Sequence, residues 1–261
     1  MQSVNIESSW DISKHLLKEN KLKVLSAVLI GLALMFVVPQ IGILIIILPF
    51  FYYFIEAHGK FMSYFASANN MTYTKTGNLE DFSGRLFEKG MEGEISNVVA
   101  GAWNSFPIKI FNFSYEIRGG KNRQPRYFTV LEISFEKVKF PFILLKSKKM
   151  WSIWLSSGGE SAEIPLYNQK FKLSATKGYE IETLQIFSER LLAYLADKAP
   201  HFSIEFSNNK INIFGEGLIG SKNKLITLLD TGKHIIDSSG AFISRLHDDF
   251  AALHPYYLNK K

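Results

Sequence analysis

Residues 24–55 (VLSAVLIGLALMFVVPQIGILIIILPFFYYFI) form one run without a charged side chain. A run of this kind leaves few options. A helix needs about 20 apolar residues to cross a hydrocarbon core of roughly 30 Å, and 32 residues at about 1.5 Å each would make a rod of about 48 Å. The run is therefore long for one upright span. Its middle holds Pro39, which lacks a backbone donor, then Gln40 and Gly42. This predicts a transmembrane hairpin of two short helices, over 21–38 and 41–56, with the bend at 38–42. Snorkelling Lys21, Lys23 and Lys60 would anchor its ends. The alternative is one long tilted helix, kinked at Pro39 or Pro49.

The choice sets the topology. Lys14, Lys18, Lys21 and Lys23 precede the run, so the positive-inside rule puts the N-terminus in the cytoplasm. A hairpin returns the remaining chain to that side; a single span puts it on the other. The apolar run is too long for a signal peptide, and no small-residue cleavage site follows it. Three segments result: 1–20, a cytoplasmic segment; 21–60, the hairpin; and 61–261, an α+β soluble domain.

That last segment is long enough for a real core. Almost all of the net charge of +6 lies after residue 60. The excess is mild: it suits an anionic membrane surface and is too small for a nucleic-acid footprint. With no cysteine, disulfides, thiolate metal sites and Cys nucleophiles are excluded. The 22 Phe and 11 Tyr favour strands.

Helical spacing of Phe61, Tyr64 and Phe65 extends the second membrane helix to Asn69-Asn70. At 81–89 either a short helix or an irregular edge closed by Gly90 is expected. Strands follow at 93–101, 107–117, 126–135 and 139–145, with period-two alternation clearest in Ile108, Ile110, Phe113, Tyr115 and Ile117. Arg118–Gln124 reads as a hairpin loop, and Glu132, between Leu131 and Ile133, is expected to face water. Further strands are expected at 151–155 and 170–174. Leu184, Phe187, Leu191, Leu192 and Leu195 mark a helix, 202–214 a hairpin, and 221–237 and 242–253 two helices separated at 238–240. The fold class is α+β: a transmembrane helical hairpin, then a mainly antiparallel sheet with two or three packed helices.

Leu86-Phe87…Gly90, Asn97-Val98-Val99-Ala100-Gly101, Phe111-Asn112-Phe113-Ser114-Tyr115, Thr129-Val130 and Phe140-Pro141 occur in this order. Glu163…Asn168…Phe171 follows. In these motifs the chain resembles a family of uncharacterised bacterial membrane-anchored proteins with an N-terminal hydrophobic hairpin and an α+β domain, over roughly 65–215. The resemblance implies architecture: a bacterial membrane anchor followed by an α+β domain. It implies no activity. With the hairpin and the positive-inside rule, the expected location is the inner membrane, multi-pass, with the soluble domain in the cytoplasm. Relatives often carry Asp where this chain has Asn112, and Asn cannot act as a general base.

No catalytic constellation outweighs its structural explanation. Asp230 and His234 share a helix face, but too few ligands accompany them for a metal. Ser156-Ser157-Gly158-Gly159 lacks a nucleophile elbow. No cofactor is called for. The distinctive soluble stretch is Lys146-Ser147-Lys148-Lys149-Met150-Trp151-Ser152-Ile153-Trp154. Lys146, Lys148, Lys149, Trp151 and Trp154 suit anionic lipid headgroups or a membrane-protein partner, each Lys contributing about 1 kcal/mol at an anionic surface. The expectation is a membrane-anchored binding or scaffolding protein. The alternative is a membrane-bound hydrolase with a site at the sheet end formed by Glu163, Asn168 and Asn112.

Overall fold

The computed structural model describes residues 8–88, 91–119, 122–136, 138–150, 161–167 and 169–253. It is α+β, with six α-helices and one large antiparallel sheet among those residues. The chain forms two compact units, 1–73 with 220–224, and 74–219 with 225–261.

The first unit holds α1 (Ser9–Glu19), α2 (Lys21–Met35) and α3 (Pro39–Ala68). Ser8 caps α1, its hydroxyl accepting from Asp11 N–H at 3.2 Å, and Ile12 and Leu16 are buried. The backbone N–H of Ser9 donates to Gly220 O at 2.8 Å. Helix α3 starts on Pro39, where a missing N–H costs nothing, and continues through Pro49 for 30 residues. The expected bend at 38–42 therefore lies at 36–38. The two arms are also unequal, since α2 has 15 residues. Among the described residues α3 is the one helix long and apolar enough to cross a membrane, by length and composition.

Helices α2 and α3 lie against each other through glycines. A Cβ on Gly31 would stand 2.5 Å from Ile46 Cγ1 and 2.8 Å from Gly42 O. One on Gly42 would stand 2.6 Å from Gly31 O and 2.7 Å from Met35 N. Outside this contact the pair is clad in exposed Leu, Ile, Val and Phe, from Leu22 to Ile55. The second half of α3 buries a stripe of Ala57, His58, Phe61, Met62, Phe65 and Ala66.

The second unit is built on nine strands in the order β1-β2-β3-β4-β9-β8-β5-β7-β6. They are β1 (Thr72–Gly77), β2 (Met91–Trp103), β3 (Phe106–Gly119), β4 (Asn122–Ser134), β5 (Phe140–Ser147), β6 (Ser161–Ile164), β7 (Phe171–Thr176), β8 (Phe202–Asn208) and β9 (Lys210–Glu216). β1 and β6 were not expected; both are short edge strands of weak alternation. The β3–β4 ladder runs out to Gly119↔Asn122, so the strands reach further into 118–124 than expected.

Each face of the sheet has its own cover. One face carries Ile133, Leu131 and Ile213, which approach Gly232 of α6 (Lys222–Leu253). On the same side Phe187, between α4 (Glu180–Ile186) and α5 (Glu189–Lys198), meets Phe206 edge-on at 5.8 Å. The other face packs Phe111, Phe113, Tyr115, Phe128, Val130 and Phe214 against Phe82, Leu86 and Phe87. Those three come from residues 79–88, which contain one 3-10 turn (Leu79–Asp81) and are otherwise irregular, the second of the two alternatives and not the short helix.

Two helical expectations are corrected. The helix over 184–195 is two helices, because Phe187 leaves helical geometry (ψ 58°) and Ser188 caps α5 on Leu191 N–H. The expected break at 238–240 does not occur: α6 is continuous, and Ser239 Oγ donates to Ile186 O at 2.9 Å.

Candidate functional site

Two polar arrangements stand out in the second unit. The first is the lysine end of β5. Trp151 and Trp154, with the strand expected at 151–155, lie outside the described residues. Lys146 is on β5, half-buried; Lys148 and Lys149 are exposed in the turn that follows. Ser147 is buried beneath them, its hydroxyl donating to Pro200 O at 2.6 Å and accepting from Lys149 N–H at 3.2 Å. The turn is tied to the residue just before β7, since Lys148 N–H donates to Lys170 O at 2.9 Å.

This pairing brings in two lysines that the local sequence did not reveal. Lys172 sits directly opposite Lys146 in the β5–β7 ladder, and Lys170 Nζ donates to Ala196 O at 2.8 Å. Burial lowers the Lys146 pKa, and the like charge of Lys172 lowers it further, against an opposing pull from Glu216. Directly opposed like charges are unfavourable in a sheet. Glu163 offsets only Lys172, at 3.6 Å across an exposed pair. Lys146, Lys148, Lys149, Lys170 and Lys172 thus lie at one end of the β5–β7 pair, with Glu163 and Glu216 among their charged neighbours.

The second arrangement was missed. A row of polar residues crosses the sheet centre in register: Lys109↔Glu132, Glu132↔Asn212, Asn212↔Glu205. Glu132, Asn212 and Glu205 are fully buried. The expectation that Glu132 faces water is therefore wrong: residues 79–88 cover that face, and Lys210 Nζ pairs with Glu132 Oε2 at 2.8 Å. Lys210 also donates to Asp81 O at 3.2 Å. Asn212 Nδ2 donates to Ser83 O at 2.9 Å, and Arg85 N–H donates to Glu205 Oε1 at 2.7 Å. Gly84, at φ +142°, lets the backbone approach: a Cβ there would lie 2.8 Å from Asn212 Nδ2 and 3.0 Å from Glu205 Oε1. Burial pushes the Glu205 carboxyl up to about 7. The N–H groups of Arg85 and Leu86 and the Arg85 guanidinium pull it down, and Glu88 pushes it up.

The residues of the alternative hydrolase site do not converge. Asn112 is buried on β3, accepting from Thr129 Oγ1 at 3.3 Å. The same hydroxyl accepts from Ile219 N–H at 2.9 Å and stands 3.1 Å from Gly217 O, so this group holds the β9–α6 connection. Glu163 is exposed on β6, with five strands between β6 and β3. At about 4.8 Å per strand this is far beyond one site. Asn168 lies outside the described residues. Asp230 is exposed and His234 stacks on Tyr194 at 3.8 Å. Among the described residues no group of three or more His, Asp or Glu could hold a metal ion.

No protein-family model matches this chain. No curated protein matches it. Among solved structures, the crystal structure of the mycobacterial trehalose monomycolate transport factor A, TtfA, is similar to it, with a TM-score of 0.55 and 11% identity over 70% of this chain and 94% of that one. At that identity the likeness is one of fold.

Proposed function

We propose that this chain is a membrane-anchored binding protein, without catalysis, whose lysine-rich sheet end takes anionic lipid headgroups. One observation carries the membrane part. The large apolar side chains from Leu22 to Ile55 are exposed on α2 and the first half of α3, a surface far beyond the few hundred Å² that soluble monomers leave bare. In lipid that surface is satisfied, and α2 and α3 act as the two arms of a hairpin. The motif order that resembles bacterial membrane-anchored proteins fits such an anchor, and Lys14, Lys18, Lys21 and Lys23 ahead of the helix pair favour the cytoplasmic side for the N-terminus and, through the hairpin, for the second unit. The fold shared with a factor whose name includes transport of a mycolate lipid is consistent with a lipid-related role.

The recognition part rests on Lys146, Lys148, Lys149, Lys170 and Lys172. Trp151 and Trp154 complete it in this reading, as interfacial aromatics. The full chain is expected to leave membranes only with detergent. In native mass spectrometry it should retain phosphatidylglycerol in preference to phosphatidylcholine. Replacing Lys146, Lys148 and Lys149 together by Gln should weaken that preference about tenfold or more, at about 1 kcal/mol per charge. An unchanged preference would refute the headgroup reading.

A further inference from the structure

Two buried acceptor atoms on neighbouring strands have no partner among the described residues: Glu205 Oε2 and Asn212 Oδ1. They belong to directly opposed residues of β8 and β9, on one face of the sheet. Such cross-strand side chains stand about 5 Å apart at Cβ, within reach of one another. The amide cannot be turned round to relieve the problem. Asn212 Nδ2 is fixed by Ser83 O at 2.9 Å, and exchanging the two atoms would set oxygen against oxygen. Glu205 Oε1 is likewise engaged by Arg85 N–H. A buried acceptor left unpaired forfeits its hydration with nothing in return, and here there are two, side by side.

A single hydrogen resolves both. We propose that Glu205 is a protonated carboxylic acid in the folded protein, its Oε2–H donating to Asn212 Oδ1, and that this proton-binding pair clamps residues 83–86 onto the sheet. The carboxyl then accepts from the N–H groups of residues 85 and 86, the first on Oε1, and donates on Oε2 to the next strand. Asn212 accepts on Oδ1 and donates on Nδ2 to residue 83. Every polar atom of the pair is used. The charged neighbours are accounted for: Lys210 is committed to Glu132 and Asp81 O, and the Arg85 guanidinium lies over the Phe142 ring at 3.8 Å. Glu88 follows on the same segment, while Lys109 and Lys146 lie on β3 and β5. Loss of the proton would set two acceptors face to face and loosen the segment that seals this face.

The pH dependence follows from the burial. The carboxyl binds its proton more tightly folded than unfolded, from an ordinary value of 4.5 up to about 7. The clamp's contribution is complete below about 4.5, falls as pH rises through the window, and is gone above about 7. In the full chain in detergent, the folding equilibrium should weaken by up to about tenfold per pH unit across that window. Glu205→Gln, whose amide can donate to Asn212 and accept from Arg85 as the acid does, should fold well and remove that component.

Infrared difference spectra across pH 7 give the direct readout. The wild-type chain should show a protonated-carboxyl C=O stretch that disappears near neutrality, is absent in Glu205→Gln and moves in Asn212→Ala. If Glu205→Gln does not fold, the wild-type titration and the Asn212→Ala displacement still decide. A carboxylate already ionised well below neutrality, as a bridging water or cation would produce, overturns the proposal; so does a band that ignores Asn212→Ala.

Discussion

Lys210 shows how much can depend on one side chain in this sheet. Its ammonium closes the Glu132 carboxylate, which is wholly buried, and also holds Asp81 O of the covering segment. Removing one partner of a buried ion pair leaves the other charge uncompensated, at a cost of about 3–5 kcal/mol. Lys210→Met should therefore lower unfolding stability in detergent by about that amount. The double variant Lys210→Met, Glu132→Leu should recover most of the loss; failure to recover would mean that the pair has another role. Neither residue announced itself. Alternation around Glu132 implies one dry and one wet face, a rule for sheets covered on one side. Here residues 79–88 cover the second face without the periodicity of a helix. Lys172 was hidden for a related reason: its approach to Lys146 is a matter of strand register, which single-strand patterns do not encode.

Strands with strong period-two alternation were legible, β3 almost to its ends and β4 except for its first residues, of which 122–124 read as loop, whereas four-residue β6 was not. Helices were legible in position but not in continuity. Phe187 fits the helical spacing, but it abandons the helix to reach Phe206, and Ser188 restarts it. Ser238-Ser239-Gly240 looked like a stop, but a Gly inside a helix costs only about 1 kcal/mol, and the Ser239 bond to Ile186 O offsets it. The α2–α3 contact gives the sharpest test of element packing. In Gly42→Leu the new Cβ meets backbone, Gly31 O at 2.6 Å and Met35 N at 2.7 Å, so no side-chain rotation relieves it. The helices should be forced apart, with a loss of about 1–3 kcal/mol in thermal unfolding of the full chain in detergent. Gly240→Ala, with nothing within 4 Å of the new methyl, should be neutral or slightly stabilising. Equal losses in both variants would mean that α2 and α3 do not pack closely.

The whole chain divides its chemistry between its two units. The first presents apolar surface with only charged termini: Lys18, Lys21 and Lys23 before it, Glu56 and Lys60 paired after it at 3.3 Å. The second buries its aromatics and concentrates lysines at one sheet end. In the proposed arrangement the helix pair enters a bilayer and returns, and the lysines meet its charged face. The hairpin topology is read out by the accessibility of terminal tags. Cells carrying the full chain with one tag at each end would be converted to spheroplasts and treated with protease. Both tags should stay in the membrane pellet and survive until the membrane is opened. Digestion of the C-terminal tag alone in intact spheroplasts, or recovery of the chain in the aqueous fraction without detergent, would contradict the account.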